Sequence, residues 1–279
     1  MSIKLEKMED EKTSEKVAEK EVKEIVKEEP KVVANEAPMG FYPIKDLPSR
    51  YKLYPEGTII YGRPLKVLEV KQLGQMTEDN SNSVINGVLR TATKGLNISD
   101  LLVADKVYIL FWLRANTYKD SGYRVDFDCL KCGQDSNYAF SLESLDVIYL
   151  DKFDEYIPNN LPISKDEVIL KFQTVRDTNE VDDLLLKTMG NPLEKYDEDL
   201  LATASTILSI NGEENKSLKQ RYNYLVSLDS GDFTVIENNT NLPEIGVSTV
   251  INVKCGKCGE TSIAGLSFRS EFFIPKYNP

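Results

Sequence analysis

Apolar residues recur along this chain at two periods, and the changes of period mark its elements. Leu65, Leu68 and Leu73 stand at near-helical spacing and predict a short helix over 65–76. Val84, Ile85, Val88, Leu89 and Ala92 share one helical face and predict a helix over 83–93. Ser99 and Asp100 read as the cap of a third helix running to about Thr117, striped by Val103, Val107, Leu110, Phe111 and Arg114. Strand-like segments lie at 58–61, 123–127 and 138–142. The second half repeats this grammar. It has a strand at 168–173, a short helix at 180–188, and a helix over 197–209 with Leu200, Leu201, Ala204, Ile207 and Leu208 on its face. Helices at 216–228 and 231–237 and strands at 247–251 and 261–268 complete it. The predicted class is α+β, with two similar halves, 39–150 and 151–279. Residues 1–38 stand apart, because Lys and Glu alternate closely there without aromatics. That segment reads as a charged disordered tail, or as a helix formed on a partner through Val17, Val22, Ile25 and Val26.

Between the paired strands of each half sits a Cys-x-x-Cys-Gly motif. Cys129-Leu-Lys-Cys132-Gly133 and Cys255-Gly-Lys-Cys258-Gly259 use all four cysteines of the chain. Two intervening residues let one tight turn aim both sulfurs at one cation, and the glycine admits the positive φ such a turn often needs. Two such half-sites make the closed, tetrahedral four-cysteine set of a structural zinc ion, a zinc ribbon with widely separated halves. Cys129 and Cys255 stand 126 positions apart, as do Cys132 and Cys258. The equal offset and the common order of elements predict an internal duplication whose knuckles meet around one zinc. The alternative is a pair of redox or disulfide motifs, although a thioredoxin-like motif opens a helix after a strand.

The chain has 279 residues, 41% of them hydrophobic, enough for one sizeable core or two small ones. Its longest apolar run, residues 107–113, is far short of the roughly 20 residues that span a bilayer. A charged N-terminus reads as no signal peptide, and reduced cysteines point to the cytosol. The net charge of −11 argues against non-specific binding to nucleic acid. There is no histidine, which removes Ser-His-Asp and Cys-His catalysis and imidazole shuttles. No phosphate-cradling glycine loop is present.

Weaker candidates remain. Lys131, Lys254, Lys257 and Arg269 flank the knuckles as a zinc-ribbon nucleic-acid module requires, but Asp126, Asp128, Asp135, Glu260 and Glu271 surround them. The acid clusters at 151–155 and 197–199 are hydrolase candidates, or a solvated loop and the first turn of a helix. Arg114 reads as a buried ion pair, an interface anchor or a snorkelling surface residue, with Asp105 more than two turns upstream. Trp112 reads as core. Phe272 and Phe273 read as core or inter-subunit packing.

Several stretches taken together resemble one family. They are Leu47-Pro-Ser-Arg50 with Leu53-Tyr-Pro-Glu-Gly57, Arg63-Pro-Leu65, the run from Asp105 to Tyr118, both knuckles, and Phe272-Phe-Ile-Pro275. This pattern, over roughly 45–275, is similar to the baseplate proteins of T-even-type contractile-tailed bacteriophages, which include hub subunits and hub assembly factors. The resemblance implies viral tail assembly through contacts with other baseplate hub proteins, or between copies of the chain, rather than turnover of a small molecule. It places the protein in the host cytoplasm during assembly, or in the virion.

Overall fold

A computed structural model describes residues 37–118, 123–141, 144–153, 155–189, 191, 195–240, 242–266 and 268–274. The segment 1–36, and with it the expectation of a disordered tail, lies outside them. The first half runs β1 (Tyr42–Pro43), β2 (Tyr61–Gly62), α1 (Val67–Gly74), α2 (Ser81–Ala92), β3 (Thr93–Lys94), α3 (Val103–Tyr118), β4 (Tyr123–Asp128), β5 (Asp135–Phe140) and β6 (Val147–Ile148). The second runs β7 (Pro158–Asn160), β8 (Glu167–Leu170), α4 (Val175–Thr188), α5 (Glu198–Thr206), β9 (Ile207–Ile210), α6 (Leu218–Ser227) and α7 (Ser230–Asn239). It ends with β10 (Gly246–Val247), β11 (Val250–Lys254), β12 (Thr261–Gly265) and α8 (Ser270–Phe273).

The class is α+β, as the pattern predicts. Each half holds a three-stranded antiparallel sheet, β1-β2-β3 and β7-β8-β9, whose second and third strands are joined through two helices. Each half also holds a two-stranded hairpin, β4-β5 or β11-β12. A short ladder of β6 with β10 links the halves, Val147 opposite Val247.

Several boundaries differ from the periodicity, and the strand expected at 247–251 splits into β10 and β11. The helix expected over 197–209 ends at Thr206, and Ile207–Ile210 form β9. That apolar run pairs with Val168–Leu170 in the centre of a core, where a buried strand and a buried helix turn look alike in sequence. Helix α4 starts at Val175 rather than 180, because Thr174 and Asp177 form a reciprocal capping box, with Thr174 N–H to Asp177 Oδ2 at 2.9 Å. The strand expected at 58–61 shifts to Tyr61–Gly62, since the Ile60 N–H goes to the Tyr51 hydroxyl at 3.2 Å. Helix α3 buries Ile109 and Leu113 as deeply as its predicted stripe, because core packs around most of its circumference.

Two clusters of buried side chains result. One holds residues of the second half from Leu161 to Ile236. The other is built on α2 and α3 with Ile44, Leu47, Ile60 and Leu65, and it also takes in Val253, Ala264, Leu266, Phe272 and Phe273. The second hairpin and α8 therefore return to the core of the first half. Phe272 and Phe273 are fully buried, settling them as core, and Phe272 meets Phe111 and Tyr123 with ring centroids 5.2 and 5.3 Å apart. Trp112 packs half-buried on the same core, so close to Gly62 that a Cβ there would lie 2.6 Å from its ring.

Candidate metal centre

Both knuckles are hairpin turns, and strand alternation sets their surroundings. In β4-β5, Tyr123, Val125 and Phe127 pair with Phe140, Tyr138 and Ser136 on the face turned to the core, while Arg124, Asp126, Asp128, Asp135 and Asn137 face outward. In β11-β12, Ile251 and Val253 pair with Ala264 and Ser262 on the inner face. The strands close on Asp128 opposite Asp135 and on Lys254 opposite Thr261, equivalent positions at the 126-residue offset.

The turns then repeat bond for bond. Cys129 N–H donates to the Gln134 carbonyl at 3.0 Å and Gly133 N–H to the Cys129 carbonyl at 2.8 Å. Cys255 N–H donates to the Glu260 carbonyl at 2.9 Å and Gly259 N–H to the Cys255 carbonyl at 3.0 Å. Gly133 and Gly259 sit at φ 63° and 71°, the left-handed region that a side chain would strain. Neither motif opens a helix.

Tertiary packing brings the four sulfurs together. Cys129 Sγ lies 3.6 Å from Cys258 Sγ and Cys132 Sγ 3.8 Å from Cys255 Sγ, and all four lie within 4.8 Å of one another. A zinc ion bound at about 2.3 Å by four tetrahedral thiolates separates its sulfurs by about 3.8 Å, whereas a disulfide holds them at about 2.05 Å. The residues present fit a tetrathiolate ion. Cys129 and Cys255 are buried, and Cys132 and Cys258 form the exposed edge.

The electrostatics agree. The N–H groups of Cys132 and Lys131 lower the Cys129 thiol, and those of Cys258 and Lys257 lower Cys255 to about 6. Cys258 also receives an N–H, from Glu260, but burial and the three neighbouring sulfurs push it up to about 11. Thiolates packed so closely repel one another, and a divalent cation at their centre reverses that balance. Both knuckle lysines reach across to the opposite knuckle. Lys131 Nζ meets Glu260 Oε2 at 2.8 Å, and Lys257 Nζ reaches Gln134 Oε1 at 3.5 Å. Lys131 and Lys257 are equivalent positions, as are Gln134 and Glu260, so the contact exchanges like that of a two-fold dimer. Ser136 Oγ lies 3.8 Å from Cys255 Sγ. In the sequence the two lysines are candidates for nucleic-acid contact, set against the acids around them. Their cross-knuckle role needs the packing.

The family model of the T4 bacteriophage base plate protein matches residues 39–274. The chain belongs to this family. No curated protein and no solved structure matches it. The match covers both knuckles of this baseplate protein, and other stretches that carry the sequence resemblance meet in the fold. Asp105, on the first turn of α3, is buried and accepts from Ser49 N–H at 3.0 Å, the Ser49 hydroxyl at 2.6 Å and the Tyr54 hydroxyl at 2.7 Å. Burial raises its pKa, and the three donors hold it back. The segments Leu47-Pro-Ser and Leu53-Tyr-Pro are thus tied to helix α3 through Ser49 and Tyr54. Arg114 is buried, which overturns the snorkelling alternative. Its guanidinium lies 5.1 Å from the Tyr123 ring centroid and 5.4 Å from that of Phe272. Asp197 caps α5 by accepting the Leu200 N–H at 3.0 Å, with Glu198 and Asp199 in the first turn. Among the described residues, no helix of this baseplate protein is long and apolar enough to cross a membrane.

Proposed function

We propose that this protein is a baseplate hub subunit or hub assembly factor, acting in tail assembly through protein–protein contacts. We further propose that Cys129, Cys132, Cys255 and Cys258 hold one structural zinc ion. The observation that carries the reading is the family match over 39–274, which spans both halves of the closed four-sulfur site. A site with all four positions taken by sulfur leaves no place for water or substrate, which supports a clasp rather than a catalyst. Lys131 and Lys257 are directed at the opposite knuckle, and Asp126, Asp128 and Asp135 face outward, which favours protein partners over nucleic acid.

Mass spectrometry of purified particles and of lysate from the same infection tests the role. A fixed copy number per particle, comparable to other hub proteins, makes it a hub subunit. Abundance in lysate with absence from particles makes it an assembly factor. Normal assembly in its absence would sink both.

A further inference from the structure

The turn Ser49-Arg50-Tyr51-Lys52 is closed by Lys52 N–H to the Ser49 carbonyl at 3.1 Å, with φ 49° at Arg50 and 61° at Tyr51. Positive φ at both central residues is the demand of a type I′ turn, which Asn-Gly meets without strain. Here both positions carry long side chains in a region that disfavours any Cβ. The strain persists because Ser49 is fixed beneath the turn by Asp105, through both its N–H and its hydroxyl.

Tyr51 accounts for its own conformation. Its hydroxyl donates to the Ile44 carbonyl at 2.7 Å and accepts from Ile60 N–H at 3.2 Å, and its ring packs on the first core. Arg50 does nothing comparable for the fold. Its guanidinium lies over the Tyr149 ring at 4.5 Å from the centroid, and its Nε is 3.7 Å from Asp151 Oδ1. The two side chains are 45% and 85% exposed, so this ion pair contributes little. A glycine at position 50 would hold the same turn with less strain.

What the arginine adds is presentation. The guanidinium sits over an aromatic ring, and its side chain stays 45% exposed beside a weakly held carboxylate. A planar donor fork fixed in this way matches a carboxylate with two parallel hydrogen bonds. Lys52 adds a second positive charge beside it, with Nζ on the Asp151 carbonyl. We propose that Arg50 on Tyr149 is a docking point for an acidic side chain of a partner protein in the baseplate, with Asp151 holding that carboxylate's place until the partner arrives. The proposal rests on the baseplate reading above.

The test is complementation of the parent phage deleted for this protein, with full-length variants supplied in trans. Infectious yield is read beside the melting temperature of each purified variant. Arg50→Gly should melt at or above wild type, because strain is relieved, yet lower the yield at least ten-fold. Arg50→Ala should lower the yield equally while melting below Arg50→Gly, and Arg50→Lys should restore part of it. Full yield with Arg50→Gly overturns the proposal. So does a joint loss of melting temperature and yield in that variant, which would make the arginine a folding residue. Normal yield from the deleted phage with no protein supplied would instead overturn the baseplate reading, and the docking point with it.

Discussion

Each of the four cysteines offers one sulfur to the proposed zinc site. Serine at Cys129 or at Cys258 removes a soft ligand from one knuckle and leaves three thiolates crowded together. Both variants should lose the same single zinc, seen as metal per chain, and should be destabilised on the order of several kcal/mol. Wild-type melting, or two independent zinc stoichiometries, would count against the shared site. A second residue governs the acid limb. Burial alone would raise the Glu69 carboxyl, but Arg63 at 2.6 and 2.9 Å, the Lys66 N–H at 2.7 Å and the Thr91 hydroxyl at 2.6 Å outweigh it. They hold it at about 2, below its ordinary 4.5. Its folded pKa is depressed, so its contribution is present above about pH 4.5 and is lost as pH falls toward 2. Glu69→Gln should lower stability at pH 7 by about 2 kcal/mol and flatten the fall in melting temperature over that window. Asp105 has the opposite sign. Its folded pKa is raised, so its ionisation costs stability as pH rises above its ordinary 3.8.

The elements are held where burial is deepest. Helix α8 is only Ser270–Phe273, too short to be stable alone, and it stays in place because Phe272 and Phe273 lie in the first core. Phe272→Ala leaves a cavity among Phe111, Tyr123, Phe268 and Phe273 and should cost about 3–5 kcal/mol in urea unfolding. A loss below about 1 kcal/mol would mean that α8 packs elsewhere. Much of this level was legible in the chain. Alternation in β4 and β5 was readable because one face is buried and the other solvated. The cap of α4 was also present in sequence, as Thr174 three residues before Asp177, and periodicity alone passes over it. Strand β9 was not legible, because Ile207 and Leu208 suit a helical face and a strand equally. The pairing with β8, about 40 residues away, decides between them.

At the scale of the whole molecule, the four-cysteine cluster joins two hairpins that the chain keeps more than a hundred residues apart. The second core, from Leu161 to Ile236, lies between them in sequence and supplies none of the four sulfurs. Removing the metal with a chelator should therefore raise amide exchange first in β4, β5, β11 and β12. Helices α4 to α7 should stay protected under the same conditions. Hydrogen exchange with peptide resolution measures this, and uniform loss of protection would show that the clasp holds both cores rather than one. The knuckles repeat bond for bond and exchange lysine contacts, which are the features of the fold that favour the internal duplication expected from the sequence.

The sequence by itself determined what depends on neighbours along the chain. Cysteine spacing with a following glycine set the turn, alternation set the inner face of each hairpin, and the stretches shared with the baseplate family set the class of function. The equal offset of the knuckles foretold that they meet, but tertiary structure alone decided which of their groups face one another and what else comes together. It placed Cys129 against Cys258, turned Lys131 to Glu260, sank Asp105 beneath Ser49 and Tyr54, and returned α8 to the first core. The reason is physical. Local hydrogen bonds and side-chain periodicity are written in adjacent residues, whereas a buried charge or a four-sulfur site is stable only once packing has excluded water and closed the loop between its parts.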